Sequence, residues 1–189
     1  QRLSLETLAK CVQDDITNEA IYTAARQITA GCDERDDMCE LHAIFDAVRN
    51  GTNKVKGMSR GVRYVSDPST KDFFVRPRKM LEQCAIGACA EDCDSHAALI
   101  AALCGSLGFR VGVRGYGPKK DGPLTHVYAV VITPKVSQDE FGNFGSDATV
   151  RGMDTTVKGA SVGWQPPPAK AVTAWILPEG VRVVNGTEK

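Results

Sequence analysis

The sequence predicts an α+β domain with its helices first and an antiparallel sheet after them. Three observations predict it. Apolar residues recur at helical spacing through the first fifty positions, one long apolar helix occupies the middle, and β-branched runs bounded by Gly and Pro follow. At 189 residues the chain fits a single domain, 1–189, large enough for a hydrophobic core, and it carries no internal repeat or convincing linker.

In chain order, Leu5, Leu8, Ala9, Val12 and Ile16 mark a first helix. A second runs from Glu19 to Thr29 through Ala20, Ala24, Ala25 and Ile28 and is stopped by Gly31. Asp37 to Val48 makes a third, with Met38, Leu41, Ile44, Phe45 and Val48 on one side. His42 reads as a surface or packing residue of that helix. Gly61 to Ser66 alternates as a short strand that turns at Asp67-Pro68, and Phe73, Phe74 and Val75 are expected to pack it onto the core. Lys79 to Gln83 leads into a cysteine-rich turn.

A central helix then passes through Ala97, Leu99, Ile100, Leu103 and Leu107 and stops at Gly108, with Asp94 or Ser95 as its expected cap. Phe109 to Arg114 reads as a strand broken at Gly115-Tyr116-Gly117-Pro118. Thr125 to Thr133 is the clearest strand and ends at Pro134. Asp139 to Ser146 is read as a hairpin turn or loop. Thr149 to Thr155 and Ala171 to Leu177 are further strands, separated by the stiff loop Gly163-Trp164-Gln165-Pro166-Pro167-Pro168.

Composition narrows the function classes. Apolar residues are 42% and charged residues 24%, ordinary for a globular protein, and the formal net charge of zero gives no case for nucleic acid as a partner. The charge is uneven: Asp33-Glu34-Arg35-Asp36-Asp37 is acidic, while Lys54, Lys56, Arg60, Arg63, Lys71, Arg76, Arg78 and Lys79 are basic. The simplest reading is a solvated surface whose two halves attract each other or a partner in the same assembly. No stretch approaches the roughly 18 apolar residues of a membrane span, so no membrane partner is expected. The start, Gln1-Arg2-Leu3-Ser4, lacks the apolar core of a signal peptide. Seven cysteines cannot all pair internally. Cys11 and Cys104 read as small buried hydrophobes, Cys32 and Cys39 flank an acidic loop and can pair under oxidising conditions, and mostly reduced thiols are expected.

Chemistry concentrates at Cys93. A cysteine at a helix start lies where unpaired N–H groups favour an anion, which would stabilise a thiolate; Glu91, Asp92 and Asp94 oppose this. His126 opens a strand and Asp154 ends a later one, so Cys93, His126 and Asp154 can supply a nucleophile, its base and the group that orients the base. Gln83 is a weak candidate for assisting an oxyanion beside the Cys93 amide, and Tyr128 and Trp164 are candidate groove walls. The segment Gly142–Gly145 is a candidate lid. A zinc site from Cys84, Cys89, Cys93 and His96, or a weaker site from Asp92, Asp94 and His96, lacks familiar ligand spacing, so no metal and no cofactor are expected.

These motifs, Asp92-Cys93-Asp94 with Ala97 and Leu107-Gly108-Phe109, then His126-Val127-Tyr128, then Met153-Asp154-Thr155-Thr156, resemble the transglutaminase-like branch of the papain-fold cysteine enzymes, particularly its stand-alone phage and prophage forms. The resemblance spans about residues 35–160. It implies a papain-like core, about 35–177, with Cys93 as nucleophile, His126 as base and acid, and Asp154 orienting His126. It further implies a cysteine peptidase or amidase acting on a protein or peptide, with a protein-glutamine transglutaminase or a catalytically silent phage assembly or binding protein as alternatives. The implied setting is a bacterial cytoplasm or a virion. Glu91 stands where that branch often has glycine, and Thr155 where it often has proline.

Overall fold

A computed structural model describes residues 2–66, 74–135, 147–167 and 170–186. Among the described residues, five helices, α1 (Arg2–Ile16), α2 (Glu19–Thr29), α3 (Asp37–Arg49), α4 (Pro77–Ala85) and α5 (Cys93–Ser106), are combined with seven strands. The strands are β1 (Arg63–Tyr64), β2 (Ala90–Glu91), β3 (Arg110–Gly117), β4 (His126–Thr133), β5 (Thr149–Met153), β6 (Lys170–Leu177) and β7 (Gly180–Asn185). The turn at Asp67-Pro68, Phe73, the Asp139 to Ser146 loop with its candidate lid, and Pro168 lie outside the described residues.

Helix α5 is the centre of the molecule. Every residue from Ser95 to Cys104 is buried, so this helix is apolar on all sides rather than amphipathic. It packs against α1, α2, α3 and α4 on one side and against β3 and β4 on the other. Asp92, not Asp94 or Ser95, caps it: the Asp92 carboxylate accepts from the Ser95 amide at 3.3 Å. Ser95 is buried instead, its hydroxyl accepting from the Val75 amide at 2.8 Å. Cys93 thereby becomes the first helical residue. At the far end Gly108 takes φ +92, the left-handed conformation that closes a helix at little cost for glycine.

The main sheet is antiparallel throughout, in the order β5-β4-β3-β6-β7. Alternation along β4 sends Val127, Ala129 and Val131 to the helices, while Tyr128, Val130 and Ile132 join Trp175 and Leu177 in a smaller cluster on the opposite face. Strand β3 runs on through Gly115 to Gly117, where a break was expected, because Gly115 pairs with Val127 and Val172 and Tyr116 pairs with His126. The short strand read near Gly61 is reduced to Arg63 and Tyr64, which pair in parallel with Ala90 and Glu91. Helix α4, β2 and β7 are additional to the sequence reading.

The cysteines depart from the expectation of mostly reduced thiols. Cys32 joins Cys39 and Cys84 joins Cys89, leaving Cys11, Cys93 and Cys104 free. Cys104 is fully buried as expected, and Cys11 is half-buried. His42 is exposed on α3, in keeping with a surface role. None of the helices is long and apolar enough to cross a membrane, among the described residues.

Candidate active site

Three element ends meet at the site: the start of α5 carries Cys93, the start of β4 carries His126, and the residue after β5 is Asp154. The ladder between β4 and β5 begins at Ala129 with Met153, so β4 from 126 to 128 is not paired with β5. There the Val127 amide approaches the Cys93 sulfur and favours its anion. The residue beside His126 in the chain is therefore set against the nucleophile candidate.

His126 and Asp154 form a close pair, Nε2 to Oδ2 at 2.6 Å. The other carboxylate oxygen, Oδ1, accepts from the Thr156 amide at 3.0 Å, the Thr156 hydroxyl at 2.8 Å and the Val157 amide at 3.2 Å. Both oxygens are thus committed, and a carboxylate only 1% exposed is held rigidly. Burial alone would raise its pKa, but the hydrogen bond and charge of His126 and the Thr156 donors outweigh burial and hold it below the ordinary carboxylate value. With Nε2–H donating to Asp154, Nδ1 is the ring nitrogen left to take a proton. Tyr128 stacks beside the imidazole, ring centroids 6.2 Å apart and planes 22° from parallel. At 3% exposure it backs the histidine and does not wall an open groove.

Cys93 is less prepared than its place at a helix start suggests. Burial, then the Asp94 charge, with a smaller contribution from Asp92, push its thiol up to about 12 against the help of the Val127 amide. The thiol donates to Asp94 Oδ1 at 3.4 Å, and no hydrogen bond joins Cys93 to His126. The stabilised resting thiolate expected from the helix terminus is thus replaced by a protonated thiol. Burial of the sulfur contributes most, and the Asp94 charge that the sequence sets against the thiolate adds to that effect.

Gln83 lies on α4, with its carbonyl accepting from the Ile86 and Ala88 amides; it makes no hydrogen bond to Cys93. Trp164 is half-buried in the loop after β5, its carbonyl packed against Gly152. The zinc grouping is removed by the Cys84–Cys89 disulfide. Ligand atoms of Asp92, Cys93 and Asp94 lie within 4.8 Å of one another, but His96 does not join them.

His96 is the residue whose role the sequence did not reveal beyond a weak metal proposal. It is 2% exposed, and Nδ1 sits 3.0 Å from the hydroxyl of Thr155, next to Asp154. Burial lowers its pKa to about 4, against the opposing pull of the Arg63 carbonyl, Asp154 and the Glu91 carbonyl. Its spacing three residues after Cys93, on the same helix face, is the signal that places it near the site. No family model, curated protein or solved structure matches this chain.

Proposed function

We propose that the chain is a cysteine-dependent acyl-transfer enzyme of the transglutaminase-like type, with a papain-like core, that hydrolyses a peptide or amide bond. The observation that carries this reading is the His126–Asp154 pair at 2.6 Å, set at the start of a strand whose next amide faces the Cys93 sulfur. Asp154 orients the imidazole and stabilises its charged form. Because the resting thiol is protonated, His126 removes the proton as sulfur attacks the carbonyl, instead of finding a thiolate already formed. The tetrahedral oxyanion is stabilised by amides at the α5 start, the leaving amine receives the proton from His126, and water then releases the acid and restores the thiol.

A catalytically silent binding or phage assembly protein is the second reading, and the Cys93 proton held by Asp94 favours it. Transglutamination differs from hydrolysis only in the acceptor, a lysine amine in place of water. The two disulfides favour a virion-associated setting over a cytoplasmic one. The deciding experiment presents peptide and amide libraries to the native chain and to Cys93→Ala and His126→Ala, with and without a labelled primary amine. Product formation that needs both residues supports the enzyme, and amine incorporation selects transglutamination. Turnover that survives Cys93→Ala rejects the cysteine mechanism, and no turnover with any donor rejects the enzyme in favour of the binding protein.

A further inference from the structure

A cleft of about 1030 Å³ lies between the segment from Arg49 to Tyr64 and the disulfide loop from Cys84 to Ala90. Four cations, Arg49, Lys56, Arg60 and Arg63, line it, and among the described residues no carboxylate does. Arg49 is used structurally, donating to the carbonyls of Val157 and Ala160 and lying over the Phe45 ring. Lys56, Arg60 and Arg63 are exposed and form no ion pair among the described residues. Three cations without counter-charges around one concavity repel one another, and an anion entering there relieves that repulsion.

The cleft leads to the site. Its lining includes Thr155, which follows Asp154, and Ala90, three residues before Cys93 and so within about 11 Å of it along the chain. His96 lies on the cleft wall, and its Nε2 is buried without a hydrogen-bond partner. The carbonyls of Arg63 and Glu91 lie near the ring, yet neither makes a hydrogen bond of regular geometry with Nε2. When the Thr155 hydroxyl donates to Nδ1, the ring proton is carried by Nε2.

Resting on the acyl-transfer reading, we infer that this cleft is a substrate subsite for an acidic polypeptide segment flanking the bond to be cleaved. Charge complementarity with Lys56, Arg60 and Arg63 supplies the attraction. A polypeptide fits better than a bare polyanion, because apolar side chains are interleaved with the cations: Ile86 is 83% exposed and Tyr64 is 51% exposed, both on the lining. An acidic peptide with apolar residues between its carboxylates matches both features.

The test is a fluorescence-anisotropy titration of a labelled peptide of alternating glutamate and leucine, and of its glutamine counterpart, against a Cys93→Ser chain that cannot turn either over. The glutamate peptide is expected to bind at least tenfold more tightly, to weaken in about 0.5 M salt, and to lose about tenfold in affinity with Arg60→Glu and Arg63→Glu combined. Arg26→Glu and Lys79→Glu combined, both exposed and off the cleft lining, serve as a charge-matched control and are expected to change nothing; unchanged melting temperatures establish that the variants fold. If the double variant melts early, single Lys56→Gln and Arg60→Gln substitutions decide, each expected to weaken binding measurably. Equal affinity for the two peptides, indifference to the substitutions, or equally tight competitive binding of a thymidine oligonucleotide would overturn the inference. Cys93-dependent cleavage of neutral and acidic peptides at equal rates would overturn it while leaving the acyl-transfer reading intact. Tight acidic-peptide binding with no Cys93-dependent turnover would overturn the acyl-transfer reading and leave the cleft as a binding site for an acidic peptide.

Discussion

Acidification is expected to titrate His96 inside the protein and so to weaken the cleft wall on which it lies. Its imidazole is held neutral by burial, with a pKa of about 4 in place of the ordinary 6.5. The unfolded chain takes up the proton near 6.5, so between that value and 4 it binds more protons than the folded chain, and stability falls as pH falls. Above 6.5 the contribution is fully present. Carrying the two values to pH 4.5 gives a loss of about 2.5 kcal/mol from this one residue. Asp154, the carboxylate whose pKa is held below 3.8, loses its contribution only at lower pH and does not add to this window. Urea denaturation at pH 7.5 and pH 4.5, on the native chain and on His96→Gln, measures the difference. The native chain is expected to lose about 2–3 kcal/mol more than the variant on acidification. Equal pH dependence in the two chains would show that His96 is not kept neutral by burial.

Asp94→Asn removes the carboxylate that accepts the Cys93 proton at 3.4 Å, so the Cys93 pKa is expected to fall and its alkylation by iodoacetamide at pH 8 to rise about tenfold, read site by site by mass spectrometry. Asp15 is fully buried; it is paired with Arg76 and Arg78 and also accepts from the Arg78 amide. Asp15→Ala, which strands those donors at the contact between α1 and α4, is expected to cost about 2–3 kcal/mol in chemical denaturation. Joint replacement of Cys84 and Cys89 by alanine frees the loop that walls the basic cleft, with an expected loss of about 2 kcal/mol for so short a loop, measured the same way.

The elements that the sequence announced are those whose pattern is set by burial on one side. Glu19 to Thr29 and Asp37 to Val48 match α2 and α3 because their apolar stripes face a core. The strand ending at Pro134 is legible because its β-branched residues fill both faces of a central strand. Helix α4 escaped notice because only Pro77, Met80 and Cys84 are buried along it, and β7 because its residues are only half-buried at the sheet edge. Tyr64 and Val65 misled in the other direction, since their alternation near Gly61 is exposed and supports a pairing of only two residues. At the site, His126 and Asp154 were legible as candidates, but their contact lies beyond the β4–β5 ladder, which begins at Ala129 with Met153, and does not follow from its register. The protonation of Cys93 was not legible, because it turns first on how deeply folding buries the sulfur and then on the charge of Asp94 beside it, and a linear pattern does not fix that burial. The basic cleft was visible only as a charge run; folding is what brings Arg60 and Arg63 opposite the Cys84–Cys89 loop, with no carboxylate among the described lining residues.

The central claim is that Cys93 accepts an acyl group while His126 handles the proton. Rapid mixing with p-nitrophenyl acetate tests it most directly, because the nitrophenolate burst counts acyl groups transferred and mass spectrometry locates the thioester. A burst of about one equivalent on Cys93 is expected, absent in Cys93→Ala, slowed about a hundredfold or more in His126→Ala, and slowed also in Asp154→Asn. A chain that gives no burst, or whose burst proceeds at the native rate without His126, would contradict the account and leave a protein that binds rather than cleaves.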